Sequence, residues 1–358
     1  MNTETAGEPN LTHPSLALLF KRGFWLAGAA AAALAALVVA CGGGDTEATP
    51  TAVPLSGTIE VDGSSTVYPI TEAVAEEFRK AQRNVKVTVG ISGTGGGFKR
   101  FCNGETAISD ASRPITKTEI DACAAKGIEY IEIPVAYDAL SVVVHPQNDW
   151  ATCITVAELK TLWDAPAQGT ITKWSQVNSK WPDATIKLFG PGPDSGTFDY
   201  FTEHVNGKAK QSRGDYTPSE DDNVLVTGVA GDKNALGYFG LAYYLENKGK
   251  IKALTVDQGK GGGCVAPSAA TVENGTYPLA RPLFIYVKKS EAEKPEVEAF
   301  VDFYINNAAE LSADVGYVKF PERIYALVKA RWEKRTVGTM YASAAAGASI
   351  EQLLSPAQ

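Results

Sequence analysis

Apolar residues follow two different patterns, and segments of the two kinds take turns along the chain. Short runs that alternate or are continuously apolar are typical of β-strands, whereas apolar residues recurring every three or four positions are typical of helices. The predicted strands are residues 57–61, 85–89, 107–109, 131–144, 186–189, 235–239 and 283–287. The predicted helices are residues 71–81, 155–163, 297–306 and 323–334, with two more beginning near residues 98 and 196. This alternation predicts an α/β fold with a largely parallel sheet.

The order of these elements predicts two lobes. A length of 358 residues is more than one small domain needs. We expect the chain to cross between lobes near residues 135–144 and to return near residues 267–282. Lobe 1 then comprises residues 57–140 and 276–358, and lobe 2 comprises residues 141–275. Because open α/β sheets bind ligands at the carboxyl ends of their strands, we expect a ligand cleft between the lobes.

Composition and charge narrow the class of ligand. Hydrophobic residues make up 44% of the chain and charged residues 21%, which is ordinary for a globular protein. The formal net charge is -8, whereas a protein that binds nucleic acid would carry a basic face. A small anion remains compatible, because local N–H dipoles can hold an anion whatever the net charge of the protein.

The first forty residues have the layout of an export signal. The basic pair Lys21-Arg22 precedes a long uncharged run of mostly Ala, Leu and Val that ends at Cys41. Residues 38–41 (Val-Val-Ala-Cys) resemble a bacterial lipobox, in which the cysteine is lipidated and becomes the first residue of the mature protein. We therefore expect residues 1–40 to be a lipoprotein signal peptide.

A transmembrane anchor and a twin-arginine export signal are the alternatives for this segment. As a helix rising ~1.5 Å per residue, residues 24–40 would span only about 25 Å of a bilayer core of ~30 Å. Lys21 stands where a twin-arginine signal has its first arginine. Residues 41–56 are rich in Gly, Thr, Ala and Pro and predict a flexible tether between the lipid and the folded part.

Four cysteines follow Cys41, and an even number outside the cytoplasm indicates disulfide bonds. Four cysteines allow three connectivities. We favour Cys102–Cys123, which lie close in sequence within one lobe, and Cys153–Cys264, which would join the ends of the other lobe. A zinc site is the alternative, but none of the spacings is the CxxC that is typical of structural zinc.

Three loops rich in Gly, Ser and Thr each lead into a predicted helix. They are residues 62–66 (Asp-Gly-Ser-Ser-Thr), 92–97 (Ser-Gly-Thr-Gly-Gly-Gly, predicted as a turn) and 194–197 (Asp-Ser-Gly-Thr). A helix N-terminus leaves N–H groups without intrahelical partners and carries partial positive charge. Together these loops can surround a tetrahedral oxyanion, although any single one can equally be an ordinary helix cap.

Asp110, in residues 109–114 (Ser-Asp-Ala-Ser-Arg-Pro), adds a carboxylate to this set. A carboxylate suits an anion site if the anion still carries a proton, because Asp110 can then accept a hydrogen bond from it. Phosphate near neutral pH carries at least one proton and sulfate carries none, so a buried carboxylate facing sulfate is unfavourable. The alternative is that Asp110 caps a turn and pairs with Arg113.

Taken together, these segments resemble one family, the periplasmic phosphate-binding proteins (the PstS-like substrate-binding proteins of phosphate ABC transporters). The segments that match in order and spacing are residues 63–69, 92–98, 108–114 and 194–197, and those that match one branch are residues 219–223, 235–240 and 277–283. The resemblance covers residues 57–340. It implies a type II two-lobed clamshell, with mixed sheets, helices on both faces and two hinge strands.

The resemblance also implies a set of phosphate contacts. They are Ser65, Thr66, Val67, Tyr68, Thr94, Gly95, Asp110, Ser195, Gly196 and Thr197. Well-known members have an arginine four residues before the serine of Ser-Gly-Thr, but this chain has Pro191 there. We take Arg213 as the replacing cation, with Arg113 as a second candidate; the alternative for Arg213 is a solvated loop residue.

The function implied is capture of inorganic phosphate outside the cytoplasmic membrane by a lipid-anchored monomer, which delivers it to the membrane permease of an ABC transporter. No metal or organic cofactor is expected. A phosphate-processing enzyme is the first alternative, but the chain has no HExxH, GxSxG or P-loop motif. A binding protein for sulfate, molybdate or tungstate is the second, and a surface adhesion or signalling module is the third.

Overall fold

A computed structural model describes residues 54–193, 195–219, 221–342 and 348–355. Its strands are β1 (Gly57–Gly63), β2 (Val85–Ile91), β3 (Ile108–Ala111), β4 (Tyr130–Val144), β5 (Cys153–Thr155), β6 (Lys187–Gly190), β7 (Thr217–Pro218), β8 (Ala235–Gly240), β9 (Lys252–Ala253), β10 (Thr255–Asp257) and β11 (Ala280–Lys288). The predicted signal peptide, Cys41 and most of the tether lie outside the described residues.

The helices lie between these strands and after the last of them. They are α1 (Tyr68–Ala81), α2 (Gly93–Cys102), α3 (Lys117–Ala125), α4 (Val156–Trp163), α5 (Trp174–Val177), α6 (Gly196–Phe201), α7 (Asp222–Ala230), α8 (Leu241–Glu246), α9 (Ala269–Glu273), α10 (Pro295–Asp314), α11 (Glu322–Glu333) and α12 (Ile350–Leu354). A short π-helix, Thr202–Asn206, continues α6. Within the described ranges, no helix combines the length and apolar character needed to cross a membrane.

Nine of these strands form one mixed sheet in the order β2-β1-β3-β11-β4-β8-β6-β7, with β9 paired to β4. The strands β1, β2 and β3 are parallel to one another, and so are β6, β7 and β8. We call β1, β2, β3 and β11, with α1 to α3 and the loops between them, the first strand group, and β6, β7 and β8, with α6 and the loops between them, the second. The predicted parallel pairing therefore holds inside each parallel trio, and the antiparallel strands β11 and β4 make the whole sheet mixed.

Strand β4 belongs to both groups. Its residues 130–139 pair with β11 and its residues 140–144 pair with β8. All fifteen residues of β4 are buried, as expected for a nearly continuous apolar run. The first predicted crossing, near residues 135–144, thus coincides with the change of pairing partner. The described residues from 54 onward form one compact unit, so the division into two moving lobes stays a prediction.

Both disulfides have the predicted pairing. Cys102–Cys123 joins α2 to α3 with a Cα–Cα distance of 4.3 Å, and Cys153–Cys264 joins β5 to the segment after β10 with a distance of 6.0 Å. The second bridge closes 111 residues, most of the part assigned to lobe 2. The capping box of Thr155 and Glu158 at the start of α4 is also present.

One local prediction is wrong: the glycine run of residues 93–97 is not a turn before a helix but the first turns of α2 itself. Packing explains the difference. A Cβ atom at Gly97 would lie 2.5 Å from the Cα atom of Gly63, so the glycine lets α2 approach β1. Tertiary contact here outweighs the low helix propensity of glycine.

Candidate anion-binding site

The loops that follow β1, β2 and β3 meet at the carboxyl edge of the first strand group. The N–H of Ser64 donates to the carbonyl of Asp110 at 3.0 Å, and the N–H of Ser92 donates to the carbonyl of Gly63 at 3.1 Å. A Cβ atom at Gly63 would lie 2.1 Å from the carbonyl oxygen of Asp110. Three of the segments predicted to be functional are thus brought together by backbone contacts that leave no room for larger side chains.

Thr94 joins the second loop to the third. Its Oγ1 atom lies 3.0 Å from Oγ of Ser112 and accepts a hydrogen bond from the Ser112 N–H at 3.2 Å. Thr94 is the second residue of α2, so its hydroxyl lies at the positive end of the helix. The arrangement places two hydroxyl groups next to a helix N-terminus.

The Ser-Gly-Thr loop reaches this edge from the second strand group. Ser195 caps α6 and accepts from the N–H of Thr197 at 3.2 Å. The hydroxyl of Thr66 donates to the carbonyl of Gly196 at 3.3 Å, and a Cβ atom at Gly196 would lie 2.7 Å from the Cα atom of Thr66. All four predicted loops therefore lie together, with glycine required where the two groups touch.

A second contact between the groups involves charge. The hydroxyl of Ser65 donates to Oδ2 of Asp199 on α6 at 2.9 Å. Burial raises the pKa of Asp199, while this hydrogen bond from Ser65 and the charge of Lys210 act in the opposite direction. The Ser65 hydroxyl is thus engaged with a carboxylate of the second group.

A cavity of about 220 Å³ lies between these loops. One side is formed by residues 64–66, 93–95, 112 and 113, and the other by Asp199, Glu203, Ala209 and Arg281. The first side offers mainly hydroxyl and glycine groups. The second side carries two carboxylates and one guanidinium, so the two sides differ in charge.

Asp110 lies on β3, two residues before the cavity-lining Ser112; it is 0% exposed and is not itself among the residues that line the cavity. Neither of its carboxylate oxygens has a hydrogen-bond partner of normal geometry in the described part of the chain. Burial raises its pKa to about 8, the Thr71 hydroxyl acts in the opposite direction, and the nearby charge of Asp62 adds to the rise. An unpartnered buried carboxyl of this kind can give a proton to an oxyanion or accept one from it.

Other predicted residues have local roles in this structure. The N–H groups of Val67 and Tyr68 donate to the carbonyl of Ser64 at 3.2 and 3.0 Å, and that of Thr66 donates to Oγ of Ser64 at 3.2 Å. The side chain of Val67 is fully buried in the core. Gly95 lines the cavity. Contacts between these N–H groups and an anion stay a prediction.

The structure does not support Arg213 as the replacing cation. Its side chain is 3% exposed and is engaged by Asp215, with Nε–Oδ1 and Nη2–Oδ2 distances of 2.6 and 2.8 Å. Its Nη1 donates to the carbonyls of Leu162 and Ile171, both at 2.9 Å. Arg213 therefore holds α4 and the loop after it together, and it is not among the residues that line the cavity.

Arg113 does line the cavity, but its charge is matched inside the first strand group. Two of its nitrogens donate to the carboxylate of Glu119 at 2.9 and 2.8 Å, and its guanidinium lies 5.8 Å from the ring centre of Phe98. The alternative interpretation, in which Arg113 pairs with Asp110, is therefore wrong. Arg113 remains a candidate contact.

Arg281, the second residue of β11, is a cation at the cavity that the sequence analysis did not single out. Its side chain, 13% exposed, lines the cavity and donates from Nη2 to Oγ1 of Thr66 at 3.1 Å. The segment of residues 277–283 had been matched to the family, but nothing in it distinguished this arginine from a surface residue of a strand. Across the described residues there is no group of three or more side chains suited to holding a metal ion.

Comparison with known proteins agrees with this geometry. A model for the PBP superfamily domain matches residues 48–308. Protein SphX of Synechococcus elongatus is 53% identical over 298 residues, covering 83% of this chain and 88% of that protein. Phosphate-binding protein PstS of Staphylococcus epidermidis is 37% identical over 292 residues, covering 81% and 86%. The chain belongs to the PstS-like family of phosphate-binding proteins.

Solved structures place this PstS-like chain in the same fold. A possible phosphate binding protein from Planctomyces limnophilus is 51% identical and superposes with a TM-score of 0.77, covering 79% of this chain and 99% of that one. PstS from Borrelia burgdorferi is 25% identical, with a TM-score of 0.56 and coverage of 74% and 100%. The resemblance and the periplasmic-binding-protein fold predicted from the sequence are thus confirmed.

Proposed function

We propose that this protein binds inorganic phosphate outside the cytoplasmic membrane and delivers it to the permease of an ABC transporter. The observation that carries the proposal is the convergence of four loops beside the buried, unpartnered carboxyl of Asp110. The relatives named as phosphate-binding proteins support the same ligand. Their names are those of binding proteins, in agreement with the prediction that the chain is not an enzyme.

Asp110 gives the proposed site its preference for an anion that carries a proton. When phosphate enters, the carboxyl group and the phosphate share at least one proton between them, so a short hydrogen bond forms whichever oxygen holds it. Sulfate brings no proton, and an ionised Asp110 would face it as a second negative charge. The hydroxyl pair of Thr94 and Ser112, together with N–H groups of the four loops, supplies the remaining donors.

We propose that the two strand groups close on the anion, because the predicted contacts are divided between them. The first strand group can hold an anion at its three loops, and the second group adds Ser195, Gly196 and Thr197 when it comes near. An anion that contacts both groups favours the arrangement in which they touch. We propose the two lobes predicted from the sequence as the moving parts, and β4 and the segment leading into β11 as the hinge.

Anchoring of the protein follows from its N-terminal segment. We propose that Cys41 is lipidated after removal of residues 1–40, and that residues 41–56 tether a monomeric binding domain to the outer face of the membrane. Mass spectrometry of the N-terminal peptide from purified membranes tests this directly. Recovery of an uncleaved residue 1–40 segment would contradict the proposal.

Calorimetric titration with phosphate and then sulfate, at pH 7 and pH 9, tests the ligand and the role of Asp110. We expect phosphate to bind at both pH values, and sulfate to bind worse at pH 9, where the Asp110 carboxyl is ionised. Asp110→Asn, which keeps the shape but not the charge, should accept sulfate about tenfold or more better at pH 9. Equal affinity of the wild type for the two anions at pH 9 would overturn the proton-reading role.

A further inference from the structure

Arg281 is placed where the two strand groups meet. It is the second residue of β11, and its register partner on β4 is Asp138. One residue further along, at Ala139, the pairing of β4 with β11 ends, and from Leu140 onward β4 pairs with β8. The backbone of Arg281 is thus fixed at the point where β4 passes from one group to the other.

Its side chain contacts three separate parts of the molecule around the cavity. Nε donates to Oδ2 of Asp138 at 3.3 Å, Nη2 donates to Oγ1 of Thr66 at 3.1 Å, and Nη1 donates to Oε2 of Glu203 at 3.4 Å. The guanidinium also lies 3.9 Å from the ring centre of Tyr200 on α6. A single planar group therefore joins the central strand, the first loop and the helical segment of the second group.

Thr66 links Arg281 to the second strand group through two hydrogen bonds of its hydroxyl. Because its hydroxyl accepts a hydrogen bond from Arg281, its own proton is free to point at the carbonyl of Gly196, 3.3 Å away. The carbonyl of Thr66 accepts a further hydrogen bond from the hydroxyl of Tyr317 at 2.6 Å. The position of Thr66, and with it the closing contact to Gly196, depends on the guanidinium that donates to its hydroxyl.

The charge of Arg281 is already matched by two carboxylates. Asp138 is buried, and its pKa is raised to about 6 by burial even though Arg281 acts to lower it. Glu203 lies on the other side of the guanidinium with about half its side chain exposed. A guanidinium between two carboxylates adds little net attraction for an anion, whereas its planar fork fixes geometry well.

Arg113 provides the matched comparison. It also lines the cavity, and its guanidinium also donates two hydrogen bonds to a carboxylate, that of Glu119. Its hydrogen bonds to side chains and carbonyls stay within the first strand group, at Glu119 and Pro114. The two arginines thus carry the same charge at the same cavity but differ in whether they link the groups.

We propose that Arg281 is a positioning residue, which holds Thr66 against the second strand group and so determines how long a bound anion is retained. The proposal rests on the proposed binding of phosphate. Contacts that form only when the groups meet are lost on opening, so they slow release more than they speed capture. A residue that acted by charge alone would change both the capture rate and its dependence on salt.

Release of radiolabelled phosphate into an excess of unlabelled phosphate, together with the association rate, tests this. Arg281→Gln combined with Asp138→Asn avoids leaving a buried carboxylate alone, which would threaten folding. We expect release about tenfold faster and association changed by less than about threefold. Arg113→Gln combined with Glu119→Gln removes the same charges at a candidate contact within the first group, and it should accelerate release at least about threefold less than the Arg281 pair does.

Two further variants separate geometry from charge. Arg281→Lys keeps the charge but loses the fork, so it should release phosphate nearly as fast as the double variant. Glu203→Gln, at a half-exposed position, should show a smaller acceleration of about two- to threefold. Wild-type release rates in the Arg281→Lys and double variants would overturn the inference.

Small-angle scattering without added phosphate gives a readout that does not depend on the ligand. Loss of the Arg281 contacts should increase the radius of gyration relative to wild type, and loss of the Arg113 pair should not. If wild type binds no phosphate, the proposed function fails. If in addition the radius of gyration is the same in both double variants, the inference about Arg281 fails on its own evidence. Circular dichroism confirms that each variant is folded.

Discussion

The two sides of the cavity are built on different principles. On the first side, the loops are held by contacts within one strand group, such as Ser64 N–H to the Asp110 carbonyl and Thr94 to Ser112. On the second side, Asp199 of α6 accepts a hydrogen bond from Ser65 of the first group. Arg281 of β11 reaches the opposite way and donates to Glu203 of the second group. The first side can therefore be complete before the groups meet, whereas the second depends on their meeting. Under the proposed mechanism, recognition of the anion therefore depends on the first side of the cavity and its retention on the second.

The largest expected effect comes from the point where the sides touch. In Gly196→Ala the added Cβ atom would lie 2.7 Å from Cα and 3.1 Å from N of Thr66, and backbone atoms cannot rotate away. The groups would be forced apart, so phosphate affinity measured by calorimetry should fall about ten- to hundredfold. Gly249→Ala is the control, since a Cβ atom there meets nothing within 4 Å. Equal affinities in the two variants would show that this approach is not needed for binding.

The second prediction concerns the protonation of the buried carboxyl of Asp110, which lies in β3 of the first strand group. Burial raises the pKa of Asp110 from 3.8 to about 8, so between these pH values the folded protein binds a proton that the unfolded chain has released. This proton favours folding at low pH, and its contribution is lost as pH rises through about 8. Asp110→Asn should therefore gain stability relative to wild type on going from pH 5 to pH 8.5, by at least about 1 kcal/mol.

Thermal unfolding without phosphate at the two pH values measures this difference. Asp149→Asn serves as the control, because the Asp149 side chain is 83% exposed. Its melting temperature should follow that of the wild type at both pH values. If the melting temperature of Asp110→Asn changed with pH as that of the wild type does, the pKa of Asp110 would not be raised, and Asp110 would be ionised at neutral pH.

Sequence patterns were sufficient for the parts of the molecule that depend on local chemistry. The disulfide pairing followed from spacing, and the loops of residues 62–66 and 194–197 followed from Gly, Ser and Thr ahead of helical periodicity. The glycines of residues 93–97 were wrongly predicted to form a turn. They are tolerated in a helix because they let α2 approach β1, and this contact joins segments that are distant in the sequence.

The arginine that lines the cavity on β11 was not singled out from the sequence for the same kind of reason. Arg213 looked functional in its loop, but its partner Asp215 is two residues away, and a local ion pair of that kind gives no sign of its burial. Arg281 acquires its role through the register of β11 on β4, which sets it beside Asp138, 143 positions earlier in the chain. The register between two such distant strands cannot be predicted from a single sequence, so the position of Arg281 at the cavity becomes visible only in the folded structure.

The smallest expected effect separates direct recognition from closure at one side chain. Ser65 is a predicted phosphate contact, yet its hydroxyl donates to Asp199 across the groups at 2.9 Å. If it acts through this bond, Ser65→Ala should weaken phosphate binding about fivefold in the wild type, and much less in an Asp199→Asn background, where the acceptor is changed. Calorimetry on the four proteins of this double-mutant cycle gives the coupling, expected near 1 kcal/mol. Equal losses in both backgrounds would instead assign the Ser65 hydroxyl to the phosphate, and with it to the first side of the comparison.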